Sequence, residues 1–239
     1  MSEPPLVVEN LGFTFAGRTT PTLENTSFTI EPGTWTVLAG RSGSGKSTLL
    51  RAMAGLIPRH STGRMEGSVR LFGLDTRTAS ATDLASRVAL VLQSPDDQLC
   101  TTTLGAEIAF GLENLAIEPD EIGRRVRETL AALGMAGEER RGVQQLSGGQ
   151  KQRLLIAALM AMRPKLLLLD EPLSQLDAAT AAELLAELAR LRDAGLAIVL
   201  AEHRFDDVLA RADRVLVLDR GRIVDDVTTS EPQAVCERL

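Results

Sequence analysis

Tyrosine is absent from the 239 residues, tryptophan occurs once, and lysine occurs only at Lys46, Lys151 and Lys165. Any aromatic contact must therefore come from Phe, Trp or His. The remaining cations are arginines, which reads as composition bias rather than as a built binding surface. Cysteine is scarce as well: Cys100 and Cys236 stand far apart, which excludes a disulfide framework and fits a reducing compartment. The longest apolar runs, Leu154 to Met162 and Leu166 to Leu169, fall short of the ~20 residues that cross a bilayer. Met1-Ser2-Glu3-Pro4-Pro5 has neither the basic nor the apolar region of a signal peptide, so a cytosolic chain is expected. Acidic residues outnumber basic ones, 32 to 26, for a net charge of −6, which argues against nucleic acid as a partner. What is present is 44% apolar content, enough for the core of one large α/β domain.

The most informative stretch is Gly40-Arg41-Ser42-Gly43-Ser44-Gly45-Lys46-Ser47-Thr48, set between an apolar strand, Trp35 to Ala39, and a helix from Thr48 to Met53. Strand, glycine loop and helix make a cradle whose inward N–H groups and helix dipole bind phosphate. Lys46 would reach the β- and γ-phosphates of a nucleoside triphosphate, and the Ser47 hydroxyl would ligate a bridging Mg²⁺.

Upstream, Leu6 to Asn10 and Thr26 to Ile30 alternate as two strands of an antiparallel layer. Phe13 and Phe15 share parity, and from the residues alone both belong in the core. Downstream come strands at Gly67 to Gly73 and Val88 to Leu92, the latter running into Gln93. His60 reads as a solvated loop residue. From Leu104 to Gly134 the period turns helical, with Pro119 opening a second helix, and an inserted helical subdomain is expected over 94–163. That block ends in Leu146-Ser147-Gly148-Gly149-Gln150 and an apolar helix. Ser147 is a natural N-cap, and two glycines beside it leave the first N–H groups open, forming a second anion-binding terminus without a lysine.

Leu166-Leu167-Leu168-Leu169 empties into Asp170-Glu171, two adjacent carboxylates whose repulsion makes sense if a cation sits there. Asp170 would orient the Mg²⁺ shell and Glu171 would polarise the attacking water. Ser174 to Asp177 opens a long helix, and the next apolar strand, Leu196 to Ala201, delivers Glu202 and His203. His203 could touch a γ-phosphate, although a histidine at a strand end is more often structural. Arg214 to Leu218 and Arg222 to Val227 read as a hairpin around Gly221. Between Arg87 and Arg124 there is no Lys or Arg, while Asp96, Asp97, Glu107, Glu113, Glu118, Asp120 and Glu121 suggest an acidic face.

In order and spacing, the loop at 40–48, Gln93, the pentapeptide at 146–150, Asp170-Glu171, Ser174 to Asp177 and His203 resemble the nucleotide-binding cassette of ABC transporters. The resemblance covers nearly the whole chain. It implies a P-loop NTPase cassette of α/β class, with a mixed core sheet, an N-terminal antiparallel layer and the helical insertion, built to bind and hydrolyse ATP with Mg²⁺. By that likeness Phe15 stacks on adenine where tyrosine is usual, Gln93 joins the metal shell, Ser147 to Gln150 face the nucleotide of a second ATPase subunit, and Asp177 lies at dimer contacts. Leu173 and Gln175 depart from the commonest choices. A finer likeness, in Leu92 to Leu99 and Glu202-His203-Arg204, is to energy-coupling-factor (ECF) transporters. It implies a transmembrane coupling protein and a substrate-binding membrane protein as partners at the cytoplasmic face of the membrane, with uptake of a vitamin or transition-metal ion. Asp96, Asp97 and Leu99 would then meet the coupling protein. A chromosome-organising or repair ATPase would need a long coiled coil or clustered cysteines between Lys46 and Ser147, and neither is there.

Overall fold

Leu6, Val8, Leu11 and Phe13 are buried, so the alternation of β1 (Leu6–Phe15) slips by one place at Glu9-Asn10. The slip is a bulge: Asn10 adopts a left-handed φ of 48° and its N–H donates to Ser27 Oγ at 2.8 Å. The strand therefore runs past Asn10, where loss of alternation suggests an end, to Phe15. A computed structural model describes residues 3–202 and 208–228. In it β1 pairs with β2 (Leu23–Ile30) and β4 (Gly63–Leu71), and β5 (Leu74–Asp75) completes an antiparallel sheet of order β2-β1-β4-β5.

The second sheet has the order β10-β9-β3-β8-β7-β6, formed by β3 (Trp35–Ala39), β6 (Val88–Val91), β7 (Leu166–Asp170), β8 (Ala197–Ala201), β9 (Arg214–Asp219) and β10 (Arg222–Thr228). All neighbours are parallel except the β9/β10 hairpin. Every residue of β3, β7 and β8 is buried, as continuous apolar runs require when both faces of a parallel sheet are covered. Register brings Leu38 and Asp170 level with Ala201, so these three strands release their chains side by side at one edge. That edge is where open α/β sheets hold ligands.

Helix α1 (Lys46–Met53) follows β3, and α2 (Ala81–Ala85) precedes β6. Helices α3 (Leu104–Asn114), α4 (Pro119–Ala132) and α5 (Gly148–Ala161) pack around a cluster of their own, with Leu104, Ile108, Leu130 and Leu154 fully buried, and α6 (Ala178–Asp193) lies between β7 and β8 in sequence. Among the described residues no strand interrupts the stretch from α3 to α5. Leu99 is half-buried and touches both this cluster and the one beneath the core sheet.

The acidic face expected between Arg87 and Arg124 is kept in part and trimmed by folding. Glu107 is buried and accepts from Cys100 N (3.2 Å), Thr101 N (2.9 Å) and Thr101 Oγ1 (2.7 Å). Glu121 accepts from Arg124 and Arg125, hydrogen bonds that pull its carboxyl down to about 2. Asp96 is paired with Lys151. Exposed acids remain at Asp96, Asp97, Glu113, Glu118 and Asp120. Substituting Glu107→Ala orphans two backbone N–H groups and leaves the Thr101 hydroxyl only Thr103 O, and should cost roughly 2–4 kcal/mol of stability in denaturant unfolding.

Candidate functional site

The loop after β3 is shaped by close approach. Gly40 has φ 149° and a Cβ there would overlap the Leu218 carbonyl oxygen, while Gly45, φ 110°, would bring a Cβ to 2.9 Å from Thr22 O. Glycine at both positions lets the loop curl against the β9 and β2 ends and start α1 at Lys46. Arg41, Ser42 and Gly43 form an exposed crest; Ser44 and Lys46 are buried, and Ser47 and Thr48 are half-buried. Lys46 Nζ turns back to donate to Gly40 O at 2.7 Å and Arg41 O at 3.1 Å, closing the curl. Ser44 Oγ, although buried, has no hydrogen-bond partner among the described residues. A buried hydroxyl without a partner is costly unless a ligand supplies one, and a phosphate oxygen does.

Across the sheet edge, Asp170 is 4% exposed and hydrogen-bonded to Ser47. Burial pushes its carboxyl up and the Ser47 hydroxyl pulls it back, while neighbouring Glu171 raises it again. Burial likewise pushes the Lys46 ammonium down, opposed by the charges of Glu171 and Asp170. Both groups thus lie where a further charge would be strongly felt. Glu171 takes a left-handed φ of 50°, its N–H donates to Ala201 O at 2.9 Å, and Gln93 Nε2 donates to its Oε2 at 2.7 Å. Such a backbone costs about 1–3 kcal/mol in a non-glycine residue and persists where the surroundings enforce it. Here it turns the chain sharply at the end of β7. Ser47 and Asp170 are hard oxygen donors of the kind Mg²⁺ takes, and the partnerless Ser44 hydroxyl fits a phosphate, so the residues suit a magnesium nucleotide.

The loop at 40–48, Asp170, Glu171 and Gln93 therefore gather in one place. The pentapeptide does not join them. Ser147 caps α5 and forms a capping box, its Oγ accepting from Gln150 N at 3.3 Å and its own N–H donating to Gln150 Oε1 at 3.0 Å. Gly148 and Gly149 face the loop after β7: a Cβ on Gly149 would lie 3.3 Å from Leu176 Cδ2, and one on Gly148 3.4 Å from Gln175 Oε1. The paired glycines thus also allow this loop to pass close over the helix terminus. Asp177 caps α6, accepting from Thr180 N at 2.9 Å and Thr180 Oγ1 at 2.8 Å, which hold its carboxyl below the usual range. Phe15 meets Phe13 edge-on at 4.8 Å, with the Arg18 guanidinium 5.8 Å above its ring, so it is half-buried while Phe13 lies in the core. His203 lies outside the described residues.

Two side chains to which the sequence assigns no site role of their own help to hold the site. Glu202 is buried and accepts from Leu173 N at 3.0 Å, which fixes the turn that follows Glu171. Lys151 pairs with Asp96 at 2.6 Å. Neither pairing carries a local signal, because the partners are 29 and 55 residues apart.

The profile of a family described as ABC transporter matches residues 23–174. A protein of Methanosarcina acetivorans named as an ABC transporter ATP-binding protein is 43% identical over 225 residues, covering 94% of this chain and 35% of its own length. One of Pyrococcus abyssi with the same description is 41% identical over 97% of this chain and 82% of its own. The chain thus spans about a third of some relatives and most of others. Among solved structures, CbiO1 of Clostridium perfringens, part of the ABC transporter complex CbiONQ, superposes with a TM-score of 0.83 at 28% identity over 98% of this chain and 91% of that one. The ATP-binding cassette MJ0796, a dimer bound to ADP and Pi, shares the fold at a TM-score of 0.79 and 24% identity, over 93% of this chain and 98% of its own. The phosphate cradle, the paired carboxylates, the capped pentapeptide helix and these likenesses agree: the chain belongs to the ABC transporter family.

Proposed function

We propose that this chain binds and hydrolyses ATP to drive a membrane transporter, working as one of two cassettes that close on two nucleotides. The observation that carries this reading is the gathering of Lys46, Ser47, Asp170 and the Gln93–Glu171 pair at one sheet edge. Loop N–H groups and Lys46 hold the phosphates. Ser47 and Asp170, with Gln93 beside them, would hold Mg²⁺, which neutralises charge on the phosphates. Glu171, kept in place by Gln93, takes the proton of the attacking water. Ser147 to Gly149 share no hydrogen bond with this loop in the described chain, which supports their use toward a second subunit's nucleotide. The test is phosphate release by the purified chain with Mg²⁺ and ATP. It should rise faster than linearly with protein concentration, as a paired site requires, and stop on chelation; linear release would count against pairing.

The finer reading is an ECF-type uptake system, with the chain docked on a coupling protein at the cytoplasmic face of the membrane. Supporting it are the likeness to CbiO1 and an apolar cavity of about 340 Å³ beside Gln98, lined by Leu56, Leu84, Leu90 and Leu92. No helix among the described residues is long and apolar enough to cross a membrane, so a membrane partner would be met at the surface. Asp97, next to Gln98 in the chain, is exposed, whereas Leu99 packs inward between two clusters and its substitution would test packing before docking. Asp97→Arg should therefore weaken co-purification with the membrane partners several-fold, more at low salt than at high. Unchanged recovery would place docking elsewhere.

A further inference from the structure

The segment between Gln93 and Leu99 is tied down at separate points that lead to different parts of the molecule. Gln93 reaches Glu171 at 2.7 Å. The Gln98 amide clips the end of β6, donating to Leu90 O at 3.0 Å and accepting from Leu92 N at 2.6 Å. Asp96 Oδ1 accepts from Lys151 Nζ at 2.6 Å, in the first turn of α5, directly after the pentapeptide. That lysine is one of three in the chain, and its side chain is only 13% exposed against 59% for Asp96. Its backbone N–H closes the first turn on Ser147 O at 2.9 Å, so the ammonium and the N-cap belong to one rigid turn.

Resting on the proposed function, we propose that Lys151 is a positioning residue: through Asp96 it locks the orientation of Ser147 and Gly148 to the segment that carries Gln93. The termini that serve two different nucleotides then move as one body. A shift of the 93–98 segment reaches Glu171 through Gln93 and the pentapeptide through Lys151. The charge pair crosses from a loop to a helix beside the apolar packing of Leu99, and the Lys151 ammonium, on a largely buried side chain, has no other hydrogen-bond partner among the described residues. The Asp96 carboxylate stays largely in water, so the pair adds little to stability and its use lies in orientation.

Lys151→Met should lower kcat about tenfold while nucleotide affinity of the monomer, measured with a fluorescent ATP analogue, stays within about twofold, since Lys46 and its loop share no hydrogen bond with α5. Asp96→Asn should lower kcat similarly and the double variant no further, as coupled partners require, while exchanging the charges (Asp96→Lys with Lys151→Asp) should restore most of the rate. Lys151→Arg, which keeps the charge, should keep the rate even if Lys151→Met folds poorly. Hydrogen exchange reads the link without turnover: amides 148–151 should exchange faster in Asp96→Asn. Wild-type rate in Lys151→Met, losses that add in the double variant, or unchanged exchange at 148–151 would each overturn the link. A wild-type chain that releases no phosphate, yet shows the faster exchange in Asp96→Asn, would overturn the ATPase reading and leave the link standing.

Discussion

Glu171→Gln should stop phosphate release, by about 10³-fold, within the range for loss of a general base, and yet leave ATP bound. The substitution is nearly isosteric. The glutamine carbonyl can still accept from Gln93 Nε2, and the left-handed turn held by Ala201 O is a backbone feature that the new side chain does not alter. What changes is charge. Glu171 raises the buried Asp170 carboxyl by repulsion, so removing it lets Asp170 hold its negative charge, and any cation, more readily. Nucleotide affinity should therefore hold or improve while chemistry fails. On the proposed cycle, in which cleavage reopens the closed pair, the variant should accumulate as an ATP-bound dimer in light scattering. Phosphate release at the wild-type rate would remove Glu171 from the chemistry, and its role would have to pass to another group at the end of β7 or β8.

Lys46→Ala and Ser147→Arg should fail for different reasons. Lys46 is 5% exposed and its ammonium already closes the phosphate loop on Gly40 O and Arg41 O. Its loss should weaken ATP binding by the monomer about 10- to 100-fold, the worth of a hydrogen bond to a charged group. Ser147→Arg should bind ATP as the wild type does and hydrolyse none, since the arginine fills the helix terminus offered to the partner. It also removes the capping box, which costs about 1 kcal/mol, too little for complete loss. Ser147→Ala loses the same cap, and the hydroxyl turned to the partner's nucleotide, without the bulk, and should still pair on ATP where Ser147→Arg does not, which separates the two causes. Mixing the two dead variants should recover part of the activity, because a mixed dimer contains one site with an intact Lys46 and an intact Ser147. No recovery in the mixture, with both variants folded and able to pair, would rule out a site shared between subunits.

The local patterns in this chain determine a good deal. The glycine loop at 40–48, the buried strand that ends in Asp170-Glu171 and the capped helix at Ser147 are legible because each needs particular residues at fixed spacing. The turn demands glycine, the fully buried strand an unbroken apolar run, and the helix terminus an acceptor before its first N–H groups. The same holds for the β9/β10 hairpin and for the helical stretch from Leu104 onward.

Tertiary structure alone decided how charge is distributed. Seven acids without an intervening cation look like a surface in the sequence, but Glu107 turns inward to three donors and Asp96 meets Lys151 from 55 residues away. It also decided that Leu99 bridges two clusters, that β1 continues across its bulge to Phe15, and that the paired glycines admit Leu176 as well as opening a helix end. The physical reason is common to these cases. Backbone conformation and periodicity are set by neighbours along the chain, whereas burial of a charge depends on whether a partner arrives from elsewhere in the fold, and no local pattern records that arrival.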